Sequence, residues 1–213
     1  MSVRSQPPPG QLMVWTDIDA VDEPDFNRWY DREHMQERVA LPGFRCARRY
    51  HALRGCPRPY LALYDTEELA VFDSDAYRDA FERQTEWSRR NFARMRNPQR
   101  RVGEREVAGC RGEGGMLALF VVGGSGPMSA SLRQELDAVV EREHIVCASI
   151  LQTEPRLSGS LTGSAALVVA DAVVMVEATH ADAVIAAAEE LAVLAEVERE
   201  AVHAFRLLWR LGA

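Results

Sequence analysis

The chain has 213 residues, 47% hydrophobic and 27% charged, with a formal net charge of −7, which is ordinary globular composition. Its 25 Lys+Arg are all arginine, so mechanisms that need a Schiff-base, phosphate-loop or kinase-type lysine are excluded. Residues 1–115 carry 19 Arg and 19 acids and residues 116–213 carry 6 Arg and 13 acids; neither half offers the basic stripe that nucleic-acid binding needs, and no apolar run approaches the ~20 residues of a membrane span.

Met1 to Gly10 is polar and proline-rich and predicts a disordered tail with no secretory leader. Gln11 to Asp19 alternates as a strand, with Met13, Trp15 and Asp17 on one face. Asp22-Glu23-Pro24 predicts a helix start, and the helix is expected to reach about Arg38 before Leu41-Pro42-Gly43 ends it. Phe44 to Ala52 and Tyr60 to Asp65 read as strands across a Gly/Pro-rich loop. Ser74 caps a second helix, expected over Asp75 to about Met95, and Arg100 to Ala108 closes the unit as a strand. After a glycine-rich linker the order repeats. Met116 to Val122 is a strand, and Ser131 with Gln134 forms a capping box for a helix to about Glu143. Ile145 to Thr153 and Ala172 to Glu177 are strands, Thr179 caps the alanine-rich helix Ala181 to Glu198, and Val202 to Leu211 is the last strand.

This order predicts an α+β protein of two ferredoxin-like βαββαβ units in tandem, residues 11–109 and 116–213 joined by residues 110–115. Each antiparallel sheet needs a cover on the face its helices leave bare, and the expected cover is the other sheet, packed face to face as a pseudo-dimer within one chain. Trp15, Tyr60 and Tyr64 are expected in that interior, joined either by Arg48 and Tyr50 or by Arg49 and His51. Of 16 aromatic residues, 13 lie before Gly115, so the first unit is the expected site and the second a degenerate copy.

The four cysteines follow no metal-binding or redox spacing and are expected to be reduced thiols in a cytoplasmic protein, with Cys46 read as a small core residue. No metal-ligand pattern exists among the scattered histidines, and no cofactor is expected. Gly123-Gly124-Ser125-Gly126 reads as a flexible loop.

The densest chemistry is Phe26-Asn27-Arg28-Trp29-Tyr30-Asp31-Arg32-Glu33-His34. On an α-helix Phe26, Trp29, Tyr30, Glu33 and Glu37 share one side, with His34 at its edge. Either Glu33 and Glu37 reach solvent or pair with Arg38 or Arg48, or Glu33 and His34 stand at the mouth of an aromatic-lined cavity. His34 suits proton transfer because its ordinary pKa of ~6.5 lies near working pH, and its place towards a helix C-terminus favours the imidazolium.

The stretch Asp25 to Tyr64 resembles the EthD-like branch of the dimeric α/β-barrel superfamily. The resemblance is carried by Phe26, Trp29-Tyr30-x-x-Glu33-His34, Pro42-Gly43-Phe44, Arg48-Arg49-Tyr50 and Tyr60-Leu61-Ala62-Leu63-Tyr64. Such proteins pair two ferredoxin-like units across their sheets and include cofactor-independent monooxygenases, polyketide cyclases, lactone isomerases and haem enzymes. The resemblance implies that Glu33 and His34 correspond to the family's glutamate–histidine pair. The second half has Glu143-His144 but no Trp-Tyr before it, so one site per chain is expected.

The sequence thus predicts a protein that binds a small aromatic or polyketide-like molecule, with no nucleic-acid or membrane partner and with further association of chains left open. Trp15, Trp29, Tyr30, Arg48, Tyr50, Tyr60 and Tyr64 would line the site, and His34, oriented by Glu33, would transfer a proton. The alternative is a non-catalytic binding or assembly module that keeps only the fold.

Overall fold

The structure, a computed structural model, describes residues 7–124, 128–159 and 170–212. Its strands are β1 (Gly10–Asp17), β2 (Phe44–Ala52), β3 (Tyr60–Thr66), β4 (Arg96–Cys110), β5 (Met116–Gly123), β6 (Ile145–Thr153), β7 (Asp171–Ala178) and β8 (His203–Gly212). They follow one another in space as β1-β3-β2-β8-β5-β7-β6-β4, and β4 returns to β1, closing the barrel. Every ladder is antiparallel.

This corrects the expectation of two ferredoxin-like sheets stacked face to face. The β2–β8 and β4–β6 ladders join the two halves edge to edge. Hydrogen-bonded closure satisfies the edge N–H and C=O groups that two stacked sheets would leave open. The result is one eight-stranded barrel with a few short helices outside it.

Among the described residues the space between the halves is filled by packed side chains. Met13, Trp15, Tyr50, Leu61, Leu63, Leu117, Leu119, Leu151, Val173, Met175 and Phe205 form one buried cluster in the barrel interior. Beside it sits an ion network. Arg48, 2% exposed, donates to Asp65 at 2.9 Å and to Glu177 at 2.8 Å, and Arg105 stands 3.9 Å from Asp65 and 3.6 Å from Glu177. Arg101 grips Asp171 at 2.7 Å. Both acids of the first group thus lie between two guanidiniums, the arrangement a buried carboxylate requires.

Two further apolar clusters cover the barrel from outside. In the first half α1 (Glu23–Trp29), a π-helical turn (Tyr30–His34), α2 (Met35–Val39), α3 (Asp75–Glu82) and α4 (Glu86–Arg94) bury their inner faces on β1 to β4. In the second half α5 (Ala130–Val139) and α6 (Ala181–Leu194) do the same on β5 to β8. Several local expectations change. The single helix expected over Asp75 to Met95 is two, because Thr85 turns extended and its side chain caps Ser88 N–H. Ser129, not Ser131, caps α5, and α6 begins after His180 with no side-chain cap. The last strand of the first half runs on through Cys110, into the expected linker. There Cys110 faces Cys147 across the β4–β6 ladder and the two are joined as a disulfide, so these thiols are not free as expected. Part of the Gly123–Gly126 loop lies outside the described residues. Among the described residues no helix is long and apolar enough to cross a membrane.

Candidate functional site

The local backbone decides where His34 points. Met35 N–H bonds to Tyr30 C=O, an i→i+5 link that widens one turn of the helix. On a regular α-helix Trp29 and His34 would diverge by about 140°. The π-helical turn instead brings the rings together, stacked at 4.3 Å with planes 26° apart. Tyr30, Tyr64 and Phe92 close the box edge-on, at 5.3, 6.1 and 5.4 Å from the imidazole. His34 is therefore not at the edge of the helix but inside the aromatic layer, 4% exposed.

The same turn separates the two residues expected to work together. Glu33 swings towards α4, where it accepts from the Thr85 hydroxyl at 2.6 Å and the Ser88 hydroxyl at 3.2 Å. Ser88 in turn accepts from Trp29 Nε1–H at 3.0 Å. Glu33 thus fixes the indole on which His34 stacks and makes no hydrogen bond to His34 among the described residues. Glu33 is half-buried and pairs with neither Arg38 nor Arg48, and Glu37 is exposed.

Burial lowers the His34 pKa well below its ordinary value, and the nearby Arg38 and Arg49 guanidiniums lower it further. This reverses the expectation from the helix C-terminus: the local desolvation and two cations outweigh a partial dipole charge. The imidazole is neutral at physiological pH. Its Nδ1 is fully buried and has no hydrogen-bond partner among the described residues, and the same holds for Arg38 Nη1, Arg49 Nε and Tyr64 Oη. Arg38, 5% exposed, has no carboxylate partner among the described residues. Arg49 is 2% exposed and lies 4.2 Å from the Tyr30 ring centre, 5.1 Å from Tyr60 and 5.3 Å from Phe26. It donates to Asn27 at 2.6 Å and to Asp31 at 3.3 Å. Burial raises the Tyr30 and Tyr64 pKa values despite these arginines, so both hydroxyls stay protonated.

The expected lining residues divide between the two faces of the sheet. The register pairs Trp15 with Leu61 and Leu61 with Tyr50, and Arg48 with Leu63; these side chains share the barrel interior. There Trp15 Nε1–H donates to Arg58 C=O at 2.6 Å and Arg48 serves the ion network. Tyr60 and Tyr64 sit on the opposite face, under α1 and α2, with Arg49 and His51, and the expectation that they point into the interior is corrected. Trp29, Tyr30, Tyr60, Tyr64 and His34 form one group; Trp15, Arg48 and Tyr50 belong to another. Arg38 and Phe92 complete the His34 group although the sequence reading had not placed them there; the four-residue step from His34 to Arg38 was the available signal. A surface cleft of about 460 Å³, lined by Asn27, Asp31, Arg49, Tyr60 and Trp209 among others, touches the edge of this group at Tyr60; His34 does not line it.

Cys46 offers no nucleophile. It is buried and its thiol donates to Asp65 at 3.4 Å, while burial and the Asp65 charge push its pKa up to about 11. No cluster of three metal-ligating side chains exists among the described residues.

No family profile matches the sequence, and no curated protein matches it. Solved structures do share the fold. An anthrone oxidase-like protein superposes with a TM-score of 0.62 at 9% identity, covering 100% of this chain and 96% of its own. A candidate monooxygenase from Fusobacterium nucleatum gives 0.58 at 8% identity, with 98% and 96% covered. Another from Lactobacillus acidophilus gives 0.57 at 7% identity, with 96% of each chain covered. At these identities the likeness is one of fold alone. They do not single out the EthD-like branch.

Proposed function

We propose that the chain binds a small aromatic or polyketide-like molecule beside the helical layer of its first half and moves a proton there through His34. The observation that carries this reading is the buried, neutral imidazole whose Nδ1 has no partner among the described residues. A polar atom left unbonded in an apolar box costs stability unless something supplies its partner. The aromatic walls suit a flat apolar body, and the unused donors on Arg38, Arg49 and Tyr64 suit its oxygen atoms.

A base with so low a pKa is weak by itself. The two guanidiniums that depress it would also stabilise an enolate or phenolate forming next to it, so proton removal and anion stabilisation would occur together. Tyr30 and Tyr64, both protonated, would add hydrogen bonds to the same oxygen. Glu33 would act at one remove, by holding Trp29.

The similar anthrone oxidase-like structure suggests anthrone as a first probe, because its methylene carbon is acidic. In D2O, NMR is expected to show the methylene protons of anthrone exchanging faster with the protein than in buffer. His34→Ala should reduce that acceleration by about 10²- to 10⁴-fold. Saturable quenching of tryptophan fluorescence without accelerated exchange would favour the non-catalytic module. Exchange undiminished in His34→Ala would exclude His34 as the base.

A further inference from the structure

A second cavity, of about 320 Å³, opens at the far end of the first helical layer, between α3, β4 and the segment after β6. Its volume is at the small end of the range for ligand pockets. Phe72, Tyr77, Phe81 and Leu157 give it apolar walls. Phe81 is 39% exposed and presents its ring to the cavity mouth.

The charges around the cavity are unequal in their partners. Arg78 and Arg156 reach over the rim to Asp73, and Arg78 also to Asp75, so both are neutralised. Arg100 is half-buried and meets only neutral oxygens: the Leu157 carbonyl and, at 3.1 Å, the Tyr77 hydroxyl. It has no carboxylate partner among the described residues, and the one acid in the lining, Glu82, is exposed and not paired with it. The Arg38 guanidinium lies 5.9 Å from the Tyr77 ring centre, also without a carboxylate partner among the described residues. A half-buried guanidinium attracts an anion strongly where its charge is not already offset and water is scarce.

We infer that this cavity is a second ligand site, separate from His34, for a small carboxylate with a flat apolar body. The carboxylate meets Arg100 and the body lies against Phe72, Phe81 and Leu157. An uncharged compound of the same shape keeps the apolar contacts but leaves Arg100 without its counter-charge, so the site discriminates by charge as well as by shape. Nothing in this inference depends on proton transfer at His34.

Titration calorimetry with 2-naphthoate and with 2-naphthalenemethanol tests it. The wild-type chain is expected to bind naphthoate at one site, about tenfold or more tighter than the alcohol, the difference a charge-assisted hydrogen bond makes. Arg100→Gln should bring the two affinities together while leaving any anthrone exchange at His34 unchanged. Phe81→Ala, a change at an exposed ring that spares the fold, should weaken both compounds alike. Equal affinities in the wild type, no naphthoate binding, or a preference that survives Arg100→Gln would overturn the inference.

Discussion

Arg48→Met is expected to lower folding stability by about 3–5 kcal/mol near neutral pH, the usual cost of removing one partner from a buried ion pair. Arg48 bonds to Asp65 on β3 and to Glu177 on β7, so one guanidinium ties strands of both halves across the barrel interior. Methionine fills similar space and leaves two buried carboxylates whose charge is met only by the longer contacts from Arg105, beside neutral hydrogen bonds from Gln11 and Cys46 to Asp65 and from Gly114 N–H to Glu177. The pH dependence carries a further signature. Burial pushes the Asp65 pKa up, but Arg48, then Arg105 and the hydrogen bonds from Gln11 and Cys46, outweigh it and hold it below the ordinary carboxylate value. A depressed folded pKa contributes stability above the unfolded value of ~3.9 and loses it as pH falls through the folded value. Without Arg48, burial dominates and the sign reverses: protonation now favours the folded chain. Urea unfolding should therefore show a deficit in Arg48→Met that is largest at alkaline pH and shrinks towards about pH 5. A loss below about 1 kcal/mol, as for an exposed pair, or a deficit independent of pH, would mean that the network does not hold the barrel as described.

Gly103→Ala is expected to be comparably damaging for a different reason. Gly103 pairs with Gln11 on β1 and with Thr153 on β6, at the seam where the halves close. A Cβ there would lie 1.9 Å from the Gln152 carbonyl oxygen, a backbone atom that can retreat only if the ladder opens. The cost should exceed the ~1–3 kcal/mol of ordinary overpacking and lower the thermal midpoint by about 10 °C or more. Gly112→Ala is the control, since a Cβ there meets nothing within 4 Å. Equal midpoints for the two variants would mean that β4 and β6 do not approach so closely.

Much of the element order is legible in local pattern. The run from Phe44 to Ala52, set between Pro42-Gly43 and a Gly/Pro-rich loop, is β2, and Ser74 caps α3 as its position suggests. Closure is not legible, because the bonds that make it join residues such as Cys46 and Gly212 that no local pattern relates. The facing of Tyr60 and Tyr64 fails for a related reason. All seven residues of β3 are buried, so both faces are apolar and alternation shows that the tyrosines share a face without showing which. The disulfide needs the β4–β6 register before Cys110 and Cys147 can be seen as neighbours. In the candidate site the residue types around His34 announce themselves, but the i→i+5 bond that turns His34 inward and Glu33 away has no signal in the spacing. Thr85, three residues before Ser88, is the local cap signal for α4, and the hydroxyls of both residues donate to Glu33.

Proton transfer at His34 requires an imidazole that is neutral and enclosed beside two arginines. A pH titration of its imidazole resonances by NMR measures this directly. With the ring buried on Trp29, its shifts should show no inflection near the ordinary value of ~6.5 and should begin to move only at distinctly lower pH. An inflection at or above that value would show a solvated or anion-paired imidazole, and the proton-transfer role would fall with it.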